Sequence, residues 1–414
     1  MVPEGWKHGF VKDLANTVMG YAFKSTDFVP DGIPLLRMGN LYQNMLDLER
    51  NPVFLPKRYL SDFSRFIVRP GDLVMSMTGT MGKRDYGFTV QIPDNVPELL
   101  LNQRVMKFEP KKDACLEYLL NLFRSEMFLN YLYSFPGGTK QANLSAKQVQ
   151  VLPVLIPPKA EQKKIAKILS TWDKAITTTE QLLTNSQQQK KALMQKLLTG
   201  NKRLQGYSGD WKQYQLSDIT NVIVSPVDKK SVVGEVPVEL CNYTDVYYHH
   251  EITKEINFMK ATASNNEIEK YSLKIGDVII TKDSETPGDI AVSALVSEEL
   301  NGVVCGYHLA IVRPNKSAVS GAFLNYLFSM PKTRYYFFTL ATGATRFGLS
   351  IGAINKAQFS LPTVAEQQKI ANLLSISDKE IKALKQKLHY LKQEKKALMQ
   401  QLLTGKRRVK VEAA

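Results

Sequence analysis

Two short basic turns carry the residue types best suited to meeting a phosphate backbone. Gly137-Gly138-Thr139-Lys140-Gln141 and Gly343-Ala344-Thr345-Arg346-Phe347 each set glycine beside a cationic side chain. Glycine lets backbone approach a ligand closely, and Lys or Arg neutralises phosphate charge, so both turns are candidate nucleic-acid contacts. Plain linkers would share this composition. Lys140 and Arg346 lead the set, with Gly138, Thr139 and Thr345 around them. Gln141, Asn143 and His308 are candidate base readers, since amide side chains pair with adenine edges. Lys83, Arg84, Gln103, Arg104, Lys282 and Ser284 complete the candidates.

Other chemistry is poorly served. Gly79-Thr80-Met81-Gly82-Lys83-Arg84 has neither the spacing nor the last residue of a phosphate-binding loop, and no Asn/Asp-Pro-Pro-Tyr methyltransferase signature occurs. Pro93-Asp94 followed by Glu109-Pro110-Lys111 has the residue types of a metal-dependent nuclease, but both segments read more simply as a loop and a strand exit. His249-His250, taken as adjacent strand residues, would point to opposite faces and form a surface pair rather than a metal site. Cys115, Cys241 and Cys305 are far apart, which gives no zinc spacing and no disulfide framework, and they read as small core residues. The expectation is a chain with no catalytic residues and no metal of its own.

The elements that must position these side chains repeat. Ala160 to Arg203 returns as Ala365 to Arg408, with 25 of 44 positions identical at a constant offset of 205. Weaker markers at the same offset precede them: Trp6-Lys7 against Trp211-Lys212, Asp13 against Asp218, and Gly71-Asp72 against Gly276-Asp277. The unit is therefore a head followed by a helix, used twice. Charge follows the same division, because residues 159–203 and 365–408 together hold +14 of the net +15. A positive field on two helices suits a polyanion or acidic partner proteins, or it is a solvated lysine-rich face.

Each helix has a seam. Steps of four and three pick out Ile165, Leu169, Trp172, Ile176, Leu183, Leu193 and Leu197 in the first copy, and Ile370, Leu374, Ile381, Leu384, Leu388, Leu391, Leu398 and Leu402 in the second. Thr363-Val364-Ala365-Glu366 reads as a capping box, and Gly200 and Gly405 stand where helix-ending glycines belong. At 1.5 Å per residue each helix is roughly 60 Å long, and one amphipathic helix of that length cannot hide its seam. The two copies should pair with each other, antiparallel, so that a pseudo-two-fold relation closes the structure and holds two heads apart as a ruler. Lys190 and Lys395 interrupt the seam at equivalent positions, to set register or to reach solvent.

The heads read as mixed α and β structure, each large enough for its own core. Val68 to Ser76 and Leu273 to Ile280 are turns leading into buried strands, with further strands at Leu101 to Phe108 and Gly302 to Arg313 and a helix in each head at Cys115 to Phe135 and Ser320 to Leu340. No apolar run long enough to span a bilayer and no apolar signal core is present, so a soluble, cytoplasmic chain is expected. The fold class is α+β, divided as head 1–156, helix 157–203, head 204–361, and helix with tail 362–414.

At this level two functions stay open: a sequence-specific DNA-binding subunit, or a helical scaffold whose heads bind proteins. The helix starts at Leu152 to Ala166 and Leu361 to Ala371, and the helix ends KKALMQKLLTG and KKALMQQLLTG, closely resemble the specificity subunit of type I restriction-modification systems over nearly the whole chain. That resemblance implies two target-recognition domains, each reading half of a bipartite double-stranded DNA site. It also implies paired helices that separate these domains and dock two methyltransferase subunits, with restriction subunits joining the complex. No cofactor is then expected on this chain, and S-adenosylmethionine, ATP and Mg would belong to the partner subunits.

Overall fold

A computed structural model describes residues 2–135 and 141–411. The chain divides into two compact units, residues 1–180 with 386–414, and residues 181–385. Each holds one head and parts of both long helices, Lys159–Leu197 and Val364–Leu402. Among the described residues no helix is long and apolar enough to cross a membrane.

In the first unit an antiparallel sheet runs Ala15–Met19, Val105–Pro110, Leu73–Ser76, Thr89–Gln91. In the second, the order Thr220–Val224, Leu309–Pro314, Val278–Thr281, Ser293–Val296 reproduces it, with Glu251–Ile252 added at the edge. Leu73–Ser76 and Val278–Thr281 are buried at every position, as a strand covered on both faces must be. The strand preceding each long helix closes on the start of its head: Lys7–Phe10 pairs with Pro153–Ile156, and Lys212–Gln215 with Gln358–Leu361. The offset of 205 thus runs through most of this sheet, with Val105–Pro110 and Leu309–Pro314 aligned one residue short of it, since Phe108 pairs with Leu73 where Val312 pairs with Val278.

Three expectations need correction. Each single helix expected after the sheet is two, Leu116–Phe123 with Glu126–Tyr133 and Gly321–Ser329 with Pro331–Leu340; Ser125 caps the second of the first pair, and Pro331, which cannot donate to the preceding helix, opens the other. The strand expected over Leu101 to Phe108 is broken by a turn between Leu99–Leu101 and Val105–Pro110, and that over Gly302 to Arg313 between Val303–Cys305 and Leu309–Pro314. Finally, the capping box at Thr363 is only half formed. Thr363 Oγ1 accepts from the Glu366 amide at 3.4 Å, but the Glu366 carboxylate turns instead to Arg203.

That carboxylate explains why both helix ends are kept. Arg203 Nε and Nη2 donate to Glu366 at 2.8 and 2.6 Å, and Arg408 makes the repeat-related pair with Glu161, its Nε at 3.0 Å. The neighbouring glutamine is fixed as tightly. Gln162 Nε2 donates to the Pro157 and Asp113 carbonyls while its Oε1 accepts from the Cys115 amide; Gln367 does the same with Pro362, Ala318 and Ser320. Each pair joins the start of one long helix to the end of the other. The helix-ending glycines, Gly200 and Gly405, have φ of +73° and +70°, and a Cβ on Gly405 would stand 2.3 Å from Pro3 Cγ.

The seam positions are buried or half-buried along both helices, with mostly exposed residues between them. Within the first unit Lys395 Nζ reaches Asp173 at 2.5 Å, and within the second Lys190 reaches Asp378 at the same distance. Residue i meets the copy of j while j meets the copy of i, which is the contact pattern of an antiparallel, pseudo-two-fold pair. The lysines are therefore paired with a carboxylate of the other helix, as a register-setting role requires, instead of reaching solvent. At the ends the seam merges with the heads: Ile165, Leu169 and Leu402 lie in one core with Phe108, Tyr118 and Phe128, and Leu197, Ile370 and Leu374 in another with Phe323 and Phe328. Full burial of each such side chain contributes about 1.5–3 kcal/mol, so helix ends and heads stabilise one another.

Candidate nucleic-acid interface

In the second unit, five of the sequence candidates come together around one small strand pair. Asp283–Ser284 pairs antiparallel with Phe347–Gly348, which sets Lys282 and Ser284 beside the turn bearing Thr345 and Arg346. The amides of Lys282 and Asp283 both donate to the His308 carbonyl, bringing His308 to the same place. Arg346 Nη2 donates to the imidazole, 2.8 Å from Nε2, and Nδ1 lies 3.4 Å from Asp283 Oδ2. A neutral ring protonated on Nδ1 satisfies both contacts, since it offers one donor and one acceptor. Burial and the adjacent Arg346 guanidinium both lower the His308 pKa, which keeps the ring neutral. Lys282 Nζ donates to Asp283 at 2.8 Å, and Ser284 Oγ shares a hydrogen bond with the Tyr243 hydroxyl at 3.2 Å. Asp283 and Tyr243 were missed in the sequence; their only signal was adjacency to Lys282 and Ser284.

The first unit builds the corresponding strand pair from different side chains. Thr78–Thr80 pairs with Gln141–Asn143 in the register Gln141 to Thr80 and Asn143 to Thr78, and Thr78 Oγ1 donates to Asn143 Oδ1 at 2.9 Å. The Met77 amide donates to the Arg104 carbonyl and the Lys83 amide to the Thr80 carbonyl, so the exposed Gln103, Arg104 and Lys83 border the same strand. Arg84 is turned away. Its guanidinium donates to Glu126 and Asn130 and lies over the Tyr133 ring, because a nearby carboxylate and amide on the Glu126–Tyr133 helix outcompete water for it. Gly138, Thr139 and Lys140 lie outside the described residues.

The decoys resolve in ordinary ways. His249 and His250 are not on a strand: they follow the Tyr243–Tyr248 helix, and His250 packs on Tyr326 with its carbonyl accepting from Asn325, so it is not a surface residue. Glu109 ends its strand 3.3 Å from Lys107, and among the described residues no group of three His, Cys, Asp or Glu could hold a metal. All three cysteines are buried.

The arrangement suits hydrogen bonding to a polar, anionic ligand: exposed amide and guanidinium groups stand on short strand pairs. The family model of the type I restriction modification DNA specificity domain matches residues 3–185 and again 208–393. The chain belongs to this family. Curated relatives of this specificity subunit include the putative type I restriction enzyme MjaX specificity subunit of Methanocaldococcus jannaschii, 24% identical over 99% of this chain and 95% of the relative. The EcoBI specificity subunit of Escherichia coli is also 24% identical, over 89% of this chain and 78% of its own. Among solved structures, the type I S subunit from M. genitalium superposes with a TM-score of 0.60 at 12% identity, covering 96% of each chain. A structure from work on assembly and conformational transition of the type I system gives 0.56 at 15% identity, over 97% of this chain and 98% of that one. At such identities the structural likeness speaks for the fold. Specificity subunits are the non-catalytic members of their complexes, and the enzymatic activities belong to partner subunits.

Proposed function

We propose that this specificity subunit recognises a bipartite double-stranded DNA site, one half through each head, and positions two methyltransferase subunits and the restriction subunits upon it. S-adenosylmethionine, ATP and Mg act on those partners in this reading, and the chain works in the cytoplasm. The observation that carries it is the repeat-swapped pairing of Glu161 with Arg408 and Glu366 with Arg203. Two heads of one backbone layout are built onto one helix pair, as a reader of two half-sites requires. The positive charge on the helices supports the same reading, because phosphate contacts supply affinity while base contacts supply specificity.

Binding of the full-length chain to duplex DNA carrying its target, measured across a salt series, tests this. A logarithmic fall of affinity with salt, together with a large preference for the target over unrelated duplex, is expected. Salt-insensitive or sequence-blind binding would instead favour a protein-binding scaffold.

A further inference from the structure

The two strand pairs occupy equivalent slots, and their side chains differ in a way that selects different bases. In the first head Gln141 stands in register with Thr80, one pair beyond Ala142 with Gly79 and two beyond Asn143 with Thr78. Adding 205 to each number gives Arg346, Glu285, Gly348 and Asp283, and the Asp283 to Gly348 pair of the second head has this same register. Arg104, whose carbonyl accepts from the Met77 amide at the first slot, corresponds to His308, whose carbonyl accepts from the Lys282 amide at the second and whose ring contacts Arg346. Gln141 and Arg346 are both exposed, so neither side chain is required by the core.

An amide presents one donor and one acceptor side by side, matching N7 and the N6 amino group of adenine; a guanidinium presents parallel donors, matching O6 and N7 of guanine. His308 holds Arg346 by one nitrogen, and no other hydrogen bond engages this guanidinium among the described residues. Its remaining donors are thus oriented and available.

Resting on the reading above, we infer that the two slots are base-reading positions of opposite preference: Gln141 reads an adenine in the first half-site, and Arg346 reads a guanine in the second. The chemistry of one side chain sets each preference, and the shared backbone sets where it points.

The test is selection of bound sequences from a randomised duplex library by the full-length chain, repeated with Gln141→Arg and with Arg346→Gln, after thermal melting has established that each variant is folded. Arg346→Gln should change one invariant guanine to adenine in one half-site only, and Gln141→Arg should change one adenine to guanine in the other. Each variant should then discriminate against the original base by roughly 10- to 100-fold. Unchanged preferences in a variant that still enriches targets would overturn the assignment. So would weakening that is uniform across all sequences, the mark of a phosphate contact. A wild-type chain that enriches no sequence would overturn the DNA-reading function itself, a result distinct from either.

Discussion

Arg346 is held by a neutral imidazole rather than by a carboxylate, so its full positive charge stays available to a ligand. Arg346→Ala should weaken duplex binding by about 1–3 kcal/mol if the contact is specific, read as a shift in Kd at fixed salt. Unaltered affinity across a salt series would remove it from the interface. His250 acts on stability instead. Burial lowers its pKa from 6.5, so the folded state resists a proton that the unfolded chain accepts. Its contribution is fully present above 6.5 and is lost as pH falls from there toward the lower folded value. Asp378 and Glu251 oppose the shift and Lys190 adds to it. Between pH 7.5 and 5.5 the unfolding free energy should drop, with His250 contributing no more than about 1.4 kcal/mol, the most that one pH unit below 6.5 allows, and His250→Gln should show a smaller drop. An equal drop in the variant would show that His250 is not the group that titrates. Lys282, Ser284, His308 and Arg346 were legible as polar candidates in the sequence, but their meeting was not. It depends on a two-residue strand pair joining segments more than 60 residues apart, which leaves no local signal.

The long helices were the most legible elements, because a seam repeated every three and four residues needs no information from elsewhere in the chain. Their caps were less so. Glu366 has the spacing of a capping residue, but a buried carboxylate is better served by an arginine 163 positions away than by a single amide. The lysines in the seam yield a prediction at this scale. Lys395→Asp sets a carboxylate opposite Asp173 and should lower stability by about 1 kcal/mol, a modest figure because Asp173 is partly exposed. Adding Asp173→Lys to the same chain should recover much of the loss, and denaturant unfolding of the four proteins in the cycle measures it. Strictly additive effects would mean that the pair does not set register. Strand boundaries were read too long for a related reason: the turns at Asn102 to Arg104 and Gly306 to His308 are only three residues long between apolar runs, and pairing with distant strands is what separates the two strands on either side.

For the molecule as a whole, the duplicated plan was visible at once from an offset of 205, whereas the likeness of the heads was nearly invisible. Backbone hydrogen bonds and buried apolar character preserve a sheet order while individual side chains change, so Leu73–Ser76 and Val278–Thr281 share a place without sharing a sequence. Heads so built should be exchangeable without loss of the frame, provided that Glu161, Gln162 and their copies remain. The most direct measurement replaces residues 1–156 with the corresponding head of another specificity subunit and maps the sites then methylated by the complex assembled with its methyltransferase subunits. The account predicts that one half of the target changes to that of the donor while the other half and the spacer between them stay as they were. Change in both halves, or in neither, would contradict it.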